Sequence, residues 1–210
     1  FVNTGLYTAS DKVFVRNNEE VESEKLNQLE RSLYKDFYKN SDISRYFCKT
    51  NPEKKVLYHH EKAVYQLSDI PNIFSYLLKF KSILEQRKDN SLKGALKRGR
   101  WDVISLPKLA INFEGPKIVC PQRSNRNTFG YNEIPWYASA DVYFITQKEF
   151  SSLDLKYVLA LLNSRLYYQW LYHRGKRKGE TLELYQVPLS EIPIKIISKE
   201  DQRPFIALVN

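Results

Sequence analysis

No apolar run in this sequence approaches the roughly 18 residues that a membrane helix requires. Phe1 to Ser10 has neither a basic nor an apolar signal region, which predicts no secretory signal. Methionine is absent and the chain opens on Phe1, as expected of a fragment of a larger protein. The two cysteines, Cys48 and Cys120, stand apart with no Cys-x-x-Cys spacing. A disulfide framework needs more cysteines and an oxidising compartment, so both are expected to be reduced cytosolic thiols. The phosphate loop, the dinucleotide Gly-x-Gly-x-x-Gly turn, the Gly-x-Ser-x-Gly elbow and the His-Glu-x-x-His zinc helix are all missing. The Asn51-Pro52 pair is followed by Glu53, not by the Pro-aromatic pair of adenine methyltransferases, which excludes that reaction from this chain alone. His59 and His60 are adjacent, and neighbouring side chains on a strand face opposite ways, so a shared metal is not expected. Two acid-x-Lys pairs, Glu53 with Lys55 and Asp154 with Lys156, are the only traces of a metal-dependent nuclease. The first lies in a turn and the second at a helix start, without a trustworthy second acid.

What the chain does have is positive charge: 33 Lys and Arg against 24 Asp and Glu, a formal net charge of +9. A basic domain concentrates polyanions, nucleic acid first among them. Apolar residues make up 42%, enough to bury a core. Lys12–Arg16, Ile43–Cys48, Lys54–Tyr58, Lys117–Cys120 and Asp141–Thr146 read as strands. Glu22–Arg31 reads as a short helix or a solvated loop. Apolar spacing predicts a helix from Ile73 to Leu84, capped by Ser68 or Asp69 with Pro71 in its first turn. It predicts a strong amphipathic helix over Ser152–Tyr172, and another helix starts near Lys199. This irregular interleaving predicts an α+β fold, a mixed or antiparallel twisted sheet with flanking helices, in one domain spanning 1–210. Residues 1–60 form a possible linker subregion.

Four basic segments stand out, and Arg45, Lys97, Arg98, Arg100, Lys176, Arg177 and Lys178 within them are the candidate phosphate contacts. The segments are Arg45, the Gly-punctuated loop Asp89–Arg100 with Lys93, Lys97, Arg98 and Arg100, the run Gln122–Asn127, and a Gly175–Gly179 loop with Lys176, Arg177 and Lys178. The third run combines Gln122, Arg123, Ser124, Arg126 and Asn127 just after a buried strand. Arg reads guanine bidentately, and Gln or Asn reads adenine, so these five are candidate base readers. A solvated polar loop stays open beside that reading, and for Lys176–Lys178 a helix-terminating loop does. Core packing is favoured over base stacking for Trp101, Trp136 and Tyr137.

Several segments, in order, resemble one family. They are Thr4-Gly5-Leu6 with Asp11–Val15, Asn40–Tyr46, Pro116–Val119, Tyr137–Ile145, Tyr157–Leu166 and Leu189–Ile194. The chain is similar to the TaqI-like C-terminal specificity domain, the target-recognition part of adenine-N6 DNA methyltransferases and fused type II restriction-modification enzymes. The resemblance implies a cytoplasmic bacterial module, not itself catalytic, that binds double-stranded DNA and reads its site mainly in the major groove. It implies a methyltransferase core in the same or a partner chain. That core would hold S-adenosylmethionine and flip the adenine, and Mg²⁺ would serve a nuclease if one is fused; no cofactor or metal is expected in this chain. By position, Gln122–Asn127 would carry base readers and Gly175–Gly179 backbone contacts. A nuclease fragment, a separate specificity subunit and an RNA-binding module are the competing readings.

Overall fold

A computed structural model describes residues 1–105, 113–148 and 151–210. The chain divides into two compact units. The first takes residues 1–5, 38–50 and the described part of 109–210; the second takes 6–37 and the described part of 51–108.

The first unit is built on a five-stranded sheet. Its strands are β1 (Val2–Thr4), β4 (Tyr46–Phe47), β6 (Lys117–Pro121), β8 (Gly130–Asn132) and β10 (Val142–Ile145), in the order β1-β10-β6-β8-β4. All pairings are antiparallel except β4 with β8. The short strand β9 (Tyr137–Ala138) follows Trp136, which is buried and stacks on Tyr38 at 4.5 Å. β6 is buried at every position, as its apolar run predicts. Its one charged residue, Lys117, donates from Nζ to the carbonyls of Gly115 and Ile134, both at 2.7 Å. A three-stranded sheet follows the order β11-β12-β7, from β7 (Arg123–Ser124), β11 (Lys176–Lys178) and β12 (Thr181–Glu183). Helices α7 (Leu155–Leu162), α8 (Arg165–Arg174), α9 (Gln186–Ser190) and α10 (Lys199–Ala207) complete the unit. Ile118, Cys120, Phe129, Leu159, Leu162, Leu171 and Leu182 share one core.

The amphipathic stretch 152–172 is therefore two helices, not one. Asn163 and Ser164 break it. Ser164 caps α8 by accepting from Tyr167 N, as short hydroxyl side chains do at helix starts. The strand expected over Ile43–Cys48 shrinks to β4. Tyr46 takes a left-handed φ of 77°, unusual for a bulky residue.

In the second unit β2 (Val15–Asn17), β5 (Lys54–Leu57) and β3 (Tyr34–Tyr38) form an antiparallel sheet with β5 central. Lys12–Phe14, expected as strand, instead belongs to the helical turn α1 (Asp11–Phe14). Helices α2 (Asn18–Glu22), α3 (Gln28–Leu33), α4 (Pro71–Leu78), α5 (Lys81–Glu85) and α6 (Lys93–Lys97) pack around it; α6 lies inside the segment expected as a loop. Val13, Phe14, Leu57, Ile73, Leu77 and Leu84 are central to this core. Neither Ser68 nor Asp69 caps α4. Glu30 does so from α3, accepting from the backbone N–H groups of Asn72 and Ile73 at 2.7 and 3.0 Å. Burial pushes the Glu30 carboxyl up, and its donors from Asn72, Asn27 and Ile73 more than reverse this, holding it below the ordinary carboxylate value.

Candidate nucleic-acid interface

The hairpin that carries Lys176, Arg177 and Lys178 is strand, not a free loop. Gly179, at φ 61°, makes the turn that returns the chain as β12. Leu182 of β12 is buried in the core, which fixes which way every side chain of the sheet faces. Lys176, Glu183 and Arg123 stand in one cross-strand row, with Lys178 opposite Thr181. Arg123 donates to the Glu183 carboxylate at 3.3 Å and to Tyr185 Oη at 3.1 Å; Lys176 Nζ meets the same carboxylate at 3.3 Å and lies over the Tyr185 ring. Arg177 sits on the other side, its guanidinium 3.9 Å from the Tyr172 ring centre. These cations are aimed by neighbours while their ends stay exposed.

Beside this sheet the first unit holds an open cleft of about 420 Å³, lined by Arg45, Asn125, Arg126, Asn127, Arg165 and Tyr168. No carboxylate is among those lining residues. Two asparagines build the cleft. Asn127 is wholly buried; its amide donates to the carbonyls of Leu162 and Ser164 at 2.6 and 2.9 Å, and its Oδ1 accepts from Arg45 at 2.6 Å. Asn163 returns the grip, accepting from Phe129 N and donating to Phe129 O at 3.0 and 2.8 Å. The two amides pin the loop after β7 to the junction between α7 and α8, and Arg45 to that loop.

The structure thus sorts the five candidate readers. Arg123 and Arg126 are exposed and able to reach a ligand. Asn127 is not available to a base, because its amide is buried and its bonds are spent inside the protein. Gln122 pairs through its backbone with Asp141 and Leu184, and the residue is half-buried. The Ser124 hydroxyl bonds Thr128 at 3.0 Å. Arg165 and Tyr168 were missed. They sit within a segment that reads as one amphipathic helix, and only the break at Ser164 brings them to the cleft.

In the second unit the other basic candidates divide as well. Arg98 is held by Glu61 through two bonds, 2.7 and 2.8 Å. Arg100 is held by the buried Asp102 carboxylate at 2.8 Å, so neither is an uncommitted phosphate contact. Burial pushes Asp102 up, but His59 and Arg100 hold it well below the usual carboxylate range. Lys97 is exposed at the end of α6. His59 spends both ring nitrogens, on Tyr65 and Asp102, at 2.7 and 2.6 Å. Among the described residues no group of three or more His, Cys, Asp or Glu side chains is placed to hold a metal ion. Asp154 caps α7 through Lys156 N, and Lys156 Nζ bonds Asn210, which accounts for that acid-x-Lys pair structurally. Both cysteines are free and buried, and no described helix is long and apolar enough to cross a membrane.

The first unit thus combines a mixed sheet, a separate basic hairpin and an arginine cleft. The TaqI-like C-terminal specificity domain matches residues 37–194, and the chain belongs to that family. It is 26% identical over 204 residues to the type II methyltransferase M.MjaIV of Methanocaldococcus jannaschii, covering 95% of this chain and 66% of that protein. It is 24% identical over 206 residues to the type II methyltransferase M.HindII of Haemophilus influenzae, covering 93% of this chain and 37% of that one. The chain thus spans only part of these relatives. Its fold is similar to part of the type IIL restriction-modification enzyme MmeI, solved in complex with DNA, at a TM-score of 0.68 and 14% identity over 99% of this chain and 26% of that one. It is also similar to part of the type IIG restriction endonuclease BpuSI, at 0.56 and 15% over 100% and 25%.

Proposed function

We propose that this chain is the double-stranded DNA recognition module of an adenine-N6 methyltransferase or fused restriction-modification enzyme, and that it works without catalytic groups of its own. The observation that carries this reading is the arginine cleft. Arg45, Arg126 and Arg165 converge with no carboxylate between them, in a site held rigid by buried amides. Guanidinium groups suit phosphate oxygens because their planar donors bond two oxygens at once. Arg45, Arg126, Arg165 and Lys178 would fix the register on the backbone. Arg123, oriented by Glu183 and Tyr185, would read a guanine edge in the major groove. S-adenosylmethionine, and Mg²⁺ where the parent also cleaves, would be held by the methyltransferase and nuclease parts, and no residue described here is assigned to them.

The test is duplex binding across a salt series by the full-length form of the chain, wild type beside Arg126→Gln/Arg165→Gln. Each phosphate contact adds about one to the slope of log affinity against log salt, so the double variant should lose roughly two. A slope unchanged in the variant would remove the cleft from the interface. Stronger competition from A-form RNA duplex than from B-form DNA would favour an RNA module instead.

A further inference from the structure

In the recognition reading helix α8 contributes only Arg165, and the inference drawn from the rest of its exposed face rests on that reading. Helix α8 runs Arg-Leu-Tyr-Tyr-Gln-Trp-Leu-Tyr-His-Arg from Arg165 to Arg174 and contains no acidic residue. Tyr167 and Leu171 bury its inner face, and Tyr167 Oη donates to the Pro193 carbonyl at 2.7 Å, which fixes the helix's rotation. Arg165, Gln169 and His173 are exposed and lie four residues apart. At 3.6 residues per turn such a series drifts only about 40° per step, so the three form one stripe about 12 Å long. Gln169 has no side-chain hydrogen bond among the described residues. At the N-terminal end, Arg165 and Tyr168 belong to the arginine cleft. At the C-terminal end, Arg177 packs on Tyr172 and the Lys176–Lys178 strand follows directly.

We propose that α8 lies in the DNA major groove and that Gln169 reads an adenine there. The major groove, about 12 Å wide, admits a helix, and a glutamine amide matches the donor and acceptor of an adenine edge. The charge pattern commits the face to this occupant. Arg165 stands at one end of the stripe and Arg174 and Arg177 beside the other, where the phosphate ridges of a groove would run, and the amide lies between them. Gln169 is a specificity residue, so its loss alters which sequence is bound, while Arg165 chiefly sets how tightly any sequence is bound.

Selection from a randomised duplex pool tests this, with wild type, Gln169→Ala, Gln169→Glu and Arg126→Gln/Arg165→Gln in parallel. Gln169→Ala should lose preference for A·T at one position, by roughly 5- to 150-fold, with the other positions kept. Gln169→Glu should move that position toward C·G, since a carboxylate accepts from the cytosine amine. Gln169 is exposed in mid-helix, where alanine is the better helix former, so the variant should fold, and its melting curve checks this. If both Gln169 variants select the wild-type sequence while the double arginine variant loses salt slope, α8 does not read the site and the inference falls alone. If wild type selects no sequence, or the arginine variant binds unchanged, the underlying recognition reading falls too.

Discussion

Asn163 bonds both backbone groups of Phe129, a residue with no exposed surface. Such a group gains little from being paired but loses much when left bare, because water cannot replace the lost partner. Asn163→Ala would orphan the Phe129 N–H and take one of two donors from its C=O, which still accepts from Tyr46 N at 3.0 Å. It should lower unfolding stability by about 2 kcal/mol or more in urea titration, with the slope on denaturant unchanged. Asn163→Asp should be no better, since it keeps the acceptor but loses the donor and buries a charge. Loss below about 0.5 kcal/mol would mean that water already reaches the site. The same asparagines mark how far the sequence could be read. Residue type pointed to Asn127 as a base reader, whereas the fold buries its amide. Its partners proved to be Leu162, Ser164 and Arg45, contacts that no local pattern encodes.

At the scale of elements, Gly179 decides the shape of the basic hairpin. Its φ of 61° lies in the left-handed region, which costs a residue with a Cβ about 1–2 kcal/mol. Gly179→Ala should therefore destabilise by about 1 kcal/mol although a Cβ there would meet nothing within 4 Å. Because the turn sets the register of Lys176–Lys178, DNA affinity should fall with it; an Asn at this position, which tolerates the left-handed region, should recover part of both losses. The strands of strong apolar character, β6 and β10, were legible because burial on both faces demands such runs. β11 was not, since Lys-Arg-Lys has no strand signature; it is a strand only because β12 pairs with it and Leu182 anchors β12. The split between α7 and α8 was hidden in the same way. The apolar period runs through Asn163 and Ser164 and masks the local cap that the Ser164 hydroxyl makes with Tyr167 N, while the Asn163 side chain spends its bonds on Phe129, far away in sequence. The arginine cleft inherits that split, so Arg165 could be placed only once the fold was known.

For the molecule as a whole, folding must take an ammonium group out of water at Lys117. The residue is wholly buried, and burial is the chief reason its amine is pushed down to about 8 from an ordinary value near 10.5, with Cys48 and Glu114 opposing. Below pH 8 the folded state carries the buried charge at a cost. Between about 8 and 10.5 the unfolded lysine still holds its proton while the folded one has released it. The unfolded state then binds more protons, so stability from this group rises with pH across that window, by at most about 3 kcal/mol. Cys48 acts oppositely. Burial pushes its thiol up to about 11, so thiolate forms first in the unfolded chain and stability falls as pH passes the ordinary thiol value. The lysine effect is therefore visible as a difference. Urea unfolding of wild-type Lys117 and Lys117→Met, each at pH 7 and pH 10 in a Cys48→Ala background, removes the thiol, whose own shift Lys117 influences. The Lys117 form should gain on the Lys117→Met form as pH rises. A constant gap would show that Lys117 keeps its charge in the folded state, with the Gly115 and Ile134 carbonyls sufficient to solvate it.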